Sequence, residues 1–218
     1  MHAGKFITFE GGEGVGKSTQ AKLLLAVLEK RGINAILTRE PGGSPFAERI
    51  RALLLDPATP PHGALAEALL FYAARADHLQ QTIVPQLAGG GWVVCDRFAD
   101  STRVYQGSAA GLNPEALDAL DHLVVKDYQP DLTVMLDLDP REGLARVRRR
   151  RAPSPTPDLA DRFEGRDLEF HQRLRAGYLA LADQDPQRCA VIDAALAPEV
   201  IAAAVWQVVS ERLLAGTE

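Results

Sequence analysis

A glycine-rich stretch near the amino terminus carries the strongest chemical signal in the sequence. Residues 11–18 read Gly-Gly-Glu-Gly-Val-Gly-Lys-Ser, which fits the P-loop pattern, and a strand-like segment precedes them. Glycines let successive backbone amides turn towards an anion, and the start of the following helix adds partial positive charge. The pattern therefore predicts a phosphate site, in which Lys17 reaches the β- and γ-phosphates and Ser18 binds Mg²⁺. We expect a bound nucleotide to contact this loop and the residue that follows it: Gly11, Gly12, Glu13, Gly14, Val15, Gly16, Lys17, Ser18 and Thr19.

A second pair that could do chemistry is Asp96-Arg97, which closes the apolar run at residues 92–96. The carboxylate suits the shell of a magnesium ion, and the adjacent guanidinium suits a phosphate. The same pair could be a surface ion pair at a strand end, and such pairs are common and weak. The P-loop upstream favours the functional interpretation.

The elements that must position these residues alternate between strands and helices. Short apolar runs bounded by glycine, proline or charged residues predict the strands, and apolar residues at helical spacing predict the helices. The alternation, with short connections, predicts a five-stranded parallel sheet flanked by helices on both faces, in one α/β domain that spans residues 1–218. Strands are expected at 5–10, 33–37, 92–96, 132–137 and 189–193, and helices at 17–30, 45–55, 64–87, 114–125, 141–150, 168–182 and 198–214.

One segment breaks this composition. An arginine cluster is followed by prolines at positions 153, 155 and 157, which forbid a continuous helix. We expect residues 148–162 to form a mobile, arginine-rich lid. Alternatively, most of these arginines form a solvated helix face. The arginines of the segment and its flanks are Arg146, Arg148, Arg149, Arg150, Arg151 and Arg162.

Composition narrows the classes of function. The chain has 24 Lys and Arg against 29 Asp and Glu, a formal charge of −5, which disfavours a general nucleic-acid or anionic-membrane binder. Cys95 and Cys189 lie inside apolar runs, as buried thiols in a reducing compartment do. No apolar run approaches the roughly 20 residues that span a bilayer, and no signal-peptide core is evident. We therefore expect a cytoplasmic enzyme.

Six short blocks give the sequence a specific resemblance. In these blocks, and in their order along the chain, the sequence resembles the bacterial thymidylate kinases. The resemblance implies a P-loop kinase fold and transfer of the γ-phosphoryl group of ATP, with Mg²⁺, to dTMP, giving dTDP and ADP in dTTP biosynthesis. It also implies a homodimer that acts on small molecules, with no nucleic-acid polymer or membrane as partner. The blocks are residues 9–19, 38–43, 70–75, 96–98, 101–102 with 105–107, and 130–132.

The resemblance further implies a dTMP pocket that faces the P-loop. Phe71 should stack on the thymine ring, and Arg75, one helical turn later, should bind a ring carbonyl. Without the resemblance, Phe71 in so apolar a helix would be taken for a core residue. Ser101 and Thr102 should meet the base edge, and Tyr105 should lie under the sugar and crowd a 2′-hydroxyl.

The remaining roles concern the phosphates. By the resemblance, Arg97 should hold the acceptor phosphate with help from Arg51, and Glu13 should face the acceptor sugar and the metal. Some members of the family have a basic residue in the phosphate loop where this chain has Gly14, so a lid arginine should supply that charge. We expect one or two of the lid arginines to contact ATP and name Arg150 as the candidate for the catalytic role. The predicted catalytic residues are Lys17, Arg97, Asp96, Glu13 and Arg150, and the predicted metal ligands are Ser18 and Asp96.

Three alternatives stay open at this stage. The chain could be a kinase for another nucleoside monophosphate or a nucleoside, which base preference would distinguish. It could be a switch or motor that hydrolyses its nucleotide, although the sequence lacks the Asn-Lys-x-Asp element that reads guanine. A module that only binds nucleotides would leave Asp96-Arg97 and the lid without a task.

Overall fold

The computed structural model describes residues 4–56, 58–151, 163 and 165–214. Its five strands form one sheet in the order β2-β3-β1-β4-β5, and every strand pair is parallel. The predicted sheet is thus confirmed. The strands are β1 (Phe6–Glu10), β2 (Ala35–Arg39), β3 (Trp92–Asp96), β4 (Leu132–Asp137) and β5 (Cys189–Asp193).

Helices cover both faces of the sheet. The predicted helix at 64–87 is interrupted by a π-helical turn, Leu79–Ile83, and two further π-helical turns, Arg103–Ala109 and Ser210–Leu214, extend other helices. The helices are α1 (Lys17–Lys30), α2 (Pro45–Leu55), α3 (Ala64–His78), α4 (Val84–Ala88), α5 (Ala99–Thr102), α6 (Pro114–Val124), α7 (Pro140–Arg151), α8 (Leu168–Gln184) and α9 (Pro198–Val209).

Strand β2 begins two residues later than the sequence predicted. Gly32 has a φ of 72°, and its amide and that of Ile33 donate to the carbonyls of Glu29 and Leu28 at the end of α1. This is the Schellman arrangement, which satisfies the last carbonyls of a helix. Ile33 therefore belongs to the end of α1, and the strand prediction at 33–37 was wrong at its boundary.

The period of two in the strands divides the core between the two faces. In β1, Phe6 packs with α3 and α6, whereas Ile7 and Phe9 pack with α1 and α9. A third apolar cluster, which includes Phe170 and Leu174, lies between α8 and the turn Arg103–Ala109. These clusters hold the sheet rigidly from both sides.

The carboxyl ends of the three strands on one side of the sheet lie level with one another. Asp96 at the end of β3 is in register with Phe9 of β1 and with Arg39 of β2. Ligands of open α/β sheets bind at this edge.

Within the described residues, no helix is long and apolar enough to cross a membrane. The predicted lid falls largely outside the described residues, because 152–162, including Arg162, are not among them.

Candidate active site

The phosphate loop joins β1 to α1 and depends on glycine at three positions. Gly11, Gly14 and Gly16 have φ angles of 135°, 72° and 97°, values that residues other than glycine rarely adopt. The ammonium of Lys17 donates to the carbonyls of Gly11 at 3.0 Å and Gly12 at 2.6 Å. Burial, with the charge of Arg97, lowers the pKa of Lys17 to about 8. A buried cation thus stands at the mouth of an anion-binding loop.

A hydroxyl and a carboxylate meet at the start of α1. Ser18 Oγ donates to Asp96 Oδ2 at the end of β3. Magnesium prefers oxygen ligands and binds through one or two protein groups together with water and phosphate oxygens. Within the described residues, no group of three His, Cys, Asp or Glu side chains could hold a metal. The pair therefore fits a magnesium ion that is shared with bound phosphates.

Arg97 bonds four other side chains of the site. It follows β3 with a φ of 70°, which is uncommon for a residue with a side chain and typical of functional positions. Its guanidinium donates to Glu13 at 2.7 Å, to Tyr105 at 3.0 Å, and to Ser101 and Tyr178 at 3.2 Å each. The cation is thereby fixed between the phosphate loop and α8.

Glu13 is held as an anion inside the phosphate loop. Burial by itself would raise the pKa of its carboxyl, but the charges of Arg97 and Lys17 outweigh burial and lower the pKa to about 2. Tyr105 adds a hydrogen bond of 2.6 Å to the same carboxylate. Glu13 therefore stays ionised at every ordinary pH and fixes the Tyr105 hydroxyl.

Glu10, at the end of β1, organises the chain that carries Arg97. Its carboxylate accepts bonds from the amide of Phe98 at 2.7 Å, the hydroxyl of Ser101 at 2.6 Å and the hydroxyl of Tyr178 at 3.2 Å. Burial and the nearby Asp100 raise the pKa of Glu10 to about 7. Glu10 was not predicted as a site residue, because its partners lie far away along the chain.

One cavity of about 470 Å³ extends from the phosphate loop across the carboxyl edge of the sheet. This volume is typical of sites for small ligands. Gly11, Gly12 and Val15 line a smaller cavity on the other side of the loop. The other predicted site residues all line the large cavity: Glu13, Gly14, Gly16, Lys17, Ser18, Thr19, Arg51, Phe71, Arg75, Asp96, Arg97, Ser101, Thr102, Tyr105 and Arg150.

The end of the cavity away from the phosphate loop is partly aromatic. The ring of Phe163 lies 6.4 Å from that of Phe71 and 5.4 Å from that of Tyr105, measured between centroids. Arg75 is 1% exposed, and its Nη1 atom has no hydrogen-bond partner among the described residues. A buried donor of this kind calls for an acceptor, which a ligand in the cavity can supply.

Helix α7 packs with its backbone directly against the phosphate loop. A Cβ atom at Gly143 would lie 2.2 Å from the carbonyl oxygen of Glu13, and one at Gly14 would lie 2.1 Å from that of Gly143. Two glycines therefore permit the contact. The helix brings Arg146 and Arg150, four residues apart on one face, to the wall of the cavity.

Comparison with known proteins decides the family. The family model described as Thymidylate kinase matches residues 9–205. A thymidylate kinase of Rhodopseudomonas palustris is 53% identical over 212 residues, which is 97% of this chain and 90% of that relative. A thymidylate kinase of a Bradyrhizobium species is 50% identical over 210 residues, covering 96% of this chain and 91% of the relative. The crystal structure of thymidylate kinase from Ehrlichia chaffeensis has a TM-score of 0.75 and 33% identity, and covers 95% of this chain and 99% of its own.

The chain belongs to the thymidylate kinase family. The resemblance inferred from the six sequence blocks is thus confirmed, as is the P-loop kinase fold. Thymidylate kinases are phosphotransferases that use ATP as donor and phosphorylate dTMP to dTDP. The large cavity has the two regions that this reaction requires, a phosphate loop and a partly aromatic pocket.

Some residues that line the large cavity were not predicted from the sequence. Phe163 lines the cavity but was not singled out, because its ring comes close to Phe71 and Tyr105 only in the folded chain. Arg146, which the sequence offered as one of the candidate lid arginines, lines the cavity from α7. Gln106 also lines it, and its buried Oε1 atom has no partner among the described residues. The block that contains Gln106 was singled out by the resemblance, so this residue could have been found.

Proposed function

We propose that this chain transfers the γ-phosphoryl group of MgATP to dTMP, and that the large cavity holds both substrates at once. The observation that carries the proposal is the continuity of this cavity. Lys17 and Ser18 line one end and Phe71 and Arg75 line the other, with Arg97 between them. Two phosphates held at either side of Arg97 would be placed for direct transfer.

The donor end would bind the triphosphate through the loop amides and Lys17. Ser18 and Asp96 would hold Mg²⁺, which neutralises phosphate charge when it is bound. Arg146 and Arg150 would supply the further positive charge that Gly14 does not. This assignment keeps the lid hypothesis, but the two arginines that it uses belong to α7.

The acceptor end would bind the nucleoside of dTMP. Phe71 would stack on the thymine ring, while Nη1 of Arg75, which has no hydrogen-bond partner among the described residues, would donate to a ring carbonyl. Ser101 and Thr102 would lie at the base edge. Tyr105, whose hydroxyl is held by Glu13, would leave little room for a ribose 2′-hydroxyl.

Transfer itself would need no strong general base. The acceptor is a phosphate whose second pKa of about 6 leaves it mostly dianionic at neutral pH. Arg97, with Arg51 nearby, would orient that dianion towards the γ-phosphate, and Lys17 would stabilise charge on the transferring group. The contribution of the chain is therefore positioning, charge and exclusion of water.

We also propose a cytoplasmic homodimer. Several large apolar side chains of α2, α3 and α6 are exposed, with Leu53, Leu65 and Leu69 each about half accessible. Apolar side chains that cluster on neighbouring helices are typical of subunit interfaces. Sedimentation equilibrium would test this: a monomer at micromolar concentration would contradict it.

An acceptor panel tests the proposed activity. The enzyme is incubated with MgATP and either dTMP, dCMP, AMP or GMP, and the products are separated by ion-exchange chromatography. We expect dTDP from dTMP and, in the other reactions, slower turnover by at least about a hundredfold, since a polar site rejects analogues that leave its groups unpaired. Comparable turnover of dCMP or AMP would overturn the assignment.

A further inference from the structure

A buried chain of polar side chains reaches from the end of β2 to the acceptor end of the cavity. His78, the last residue of α3, is fully buried and is not among the residues that line the cavity. Its Nδ1 atom lies 3.0 Å from Glu40 Oε1, and its Nε2 atom lies 2.7 Å from the hydroxyl of Thr38. Neither Glu40 nor His78 has a task in the function proposed above.

The two oxygens of the Glu40 carboxylate bond two different side chains, Arg75 and His78. Oε2 accepts a bond of 2.8 Å from Nε of Arg75, and Oε1 faces Nδ1 of His78. A carboxylate bound through one oxygen can still rotate about its terminal bond, because that torsion is broad. The second bond, from His78, fixes the plane of the carboxylate.

The partners of His78 also indicate its tautomer. A carboxylate accepts only, so Nδ1 carries the proton and donates to Glu40. Nε2 then accepts from Thr38, whose hydroxyl can donate. The carboxylate of Glu40 thus selects the tautomer, and the Thr38 hydroxyl, which can donate or accept, holds the other ring nitrogen in place.

The orientation of Arg75 depends on this carboxylate. Its Nε atom bonds Glu40 and its Nη2 atom bonds the hydroxyl of Thr102 at 3.0 Å, while Nη1 is the atom without a partner among the described residues. Because a guanidinium is planar, fixing Nε and Nη2 sets the direction of Nη1. A rotation of Glu40 would change the direction of Nη1.

We propose that His78 is a positioning residue for recognition of the acceptor base, and that Thr38 is its outer partner. The inference rests on the proposed function, in which Nη1 of Arg75 donates to a ring carbonyl. His78 touches no substrate. It holds Glu40, and through Glu40 it orients Arg75. A donor in this orientation favours a base with a carbonyl group, such as thymine, over a base with an amino group in its place, such as cytosine.

The test compares dTMP with dCMP in variants of this chain. For His78→Ala we expect KM for dTMP to rise about tenfold and the preference for dTMP over dCMP in kcat/KM to fall about tenfold, which is the scale of one hydrogen bond to a charged group. KM for ATP and kcat with dTMP should stay within about twofold of the wild type. His78→Asn, whose amide can donate in place of Nδ1, should restore most of the preference.

Two further variants separate positioning from folding. Thr38→Val is nearly isosteric and should lower the preference about threefold, even if His78→Ala does not fold. Thr82→Val is the matched control, because the Thr82 hydroxyl donates to the carbonyl of Gly43 and, among the described residues, makes no hydrogen bond to Thr38, His78, Glu40 or Arg75. It should leave the preference unchanged.

An unchanged preference in both Thr38→Val and His78→Ala would overturn the inference, as would a parallel rise of KM for dTMP and ATP. A loss of preference in Thr82→Val equal to that in Thr38→Val would also overturn it. A wild-type enzyme that turns over dCMP as well as dTMP would instead contradict the proposed function.

Discussion

Replacement of Gly143 by alanine tests whether the contact between α7 and the phosphate loop matters for catalysis. In a helix interior, alanine is more favourable than glycine by about 1 kcal/mol, so propensity alone predicts a more stable protein. The new Cβ, however, would lie 2.2 Å from the carbonyl oxygen of Glu13. The position of a Cβ atom is fixed by the backbone of its own residue, and the oxygen belongs to the backbone of the loop, so neither can rotate away.

The size of the required movement follows from this distance. Real Cβ contacts do not fall below 3.0 Å, so α7 must move from the loop by roughly 1 Å. Arg146 and Arg150 move with it. A displacement of about 1 Å in a catalytic group can cost about a hundredfold in rate, and we expect kcat to fall by that order.

The assay is steady-state ADP formation with saturating dTMP and MgATP, together with thermal unfolding. Gly63→Ala is the matched control, because a Cβ at Gly63 meets nothing within 4 Å and its φ is −74°. This control should keep the wild-type kcat. A Gly143→Ala enzyme with kcat within about twofold of the wild type would refute the argument.

Three other changes give further predictions. Lys17→Ala should lower kcat about a hundredfold or more while the fold is retained, because it removes the cation nearest the migrating charge, and near-normal turnover would contradict the phosphate-loop assignment. Arg146→Ala and Arg150→Ala should each lower kcat, whereas Arg149→Ala, which changes an exposed arginine away from the cavity, should not. Equal kcat in all three variants would support the alternative that the arginine cluster is a solvated helix face. The pKa of Glu10 is about 7 in the folded protein, above the ordinary 4.5 of a glutamate, so the stability contributed by its proton is full below pH 4.5 and is lost as pH rises through 7. The free energy of unfolding of Glu10→Gln, measured in urea relative to the wild type, should therefore rise by on the order of 2 kcal/mol between pH 5 and pH 8, and a difference independent of pH would contradict the shift.

Features that depend on contiguous residues were predictable from the sequence. The glycine loop, the apolar strands and the helical spacing each lie within a short window, and the structure has a strand at or near each of the five predicted positions along the chain. The boundary of β2 was not predictable in the same way. The apolar residue Ile33 satisfies a strand pattern, but the positive φ of Gly32 assigns it to the end of α1.

The parts of the site that were missed depend on contacts between distant residues. Glu10 lies 88 positions from its partner Phe98, and Glu40 lies 35 positions from Arg75. No local pattern distinguishes such carboxylates from solvated ones, since their burial arises only when the strands assemble. Likewise, the arginine cluster could be recognised as basic, but its orientation depends on the packing of Gly143 against the loop.

The fate of the γ-phosphate tests the central claim, that one cavity joins donor and acceptor for direct transfer. ATP labelled in its γ-phosphate is incubated with enzyme, Mg²⁺ and dTMP, and the label is followed into dTDP and into inorganic phosphate. We predict that nearly all label lost from ATP appears in dTDP, and that omission of dTMP slows loss of label by at least about a hundredfold. Label that appears mainly as inorganic phosphate, at a rate that does not depend on dTMP, would contradict the account.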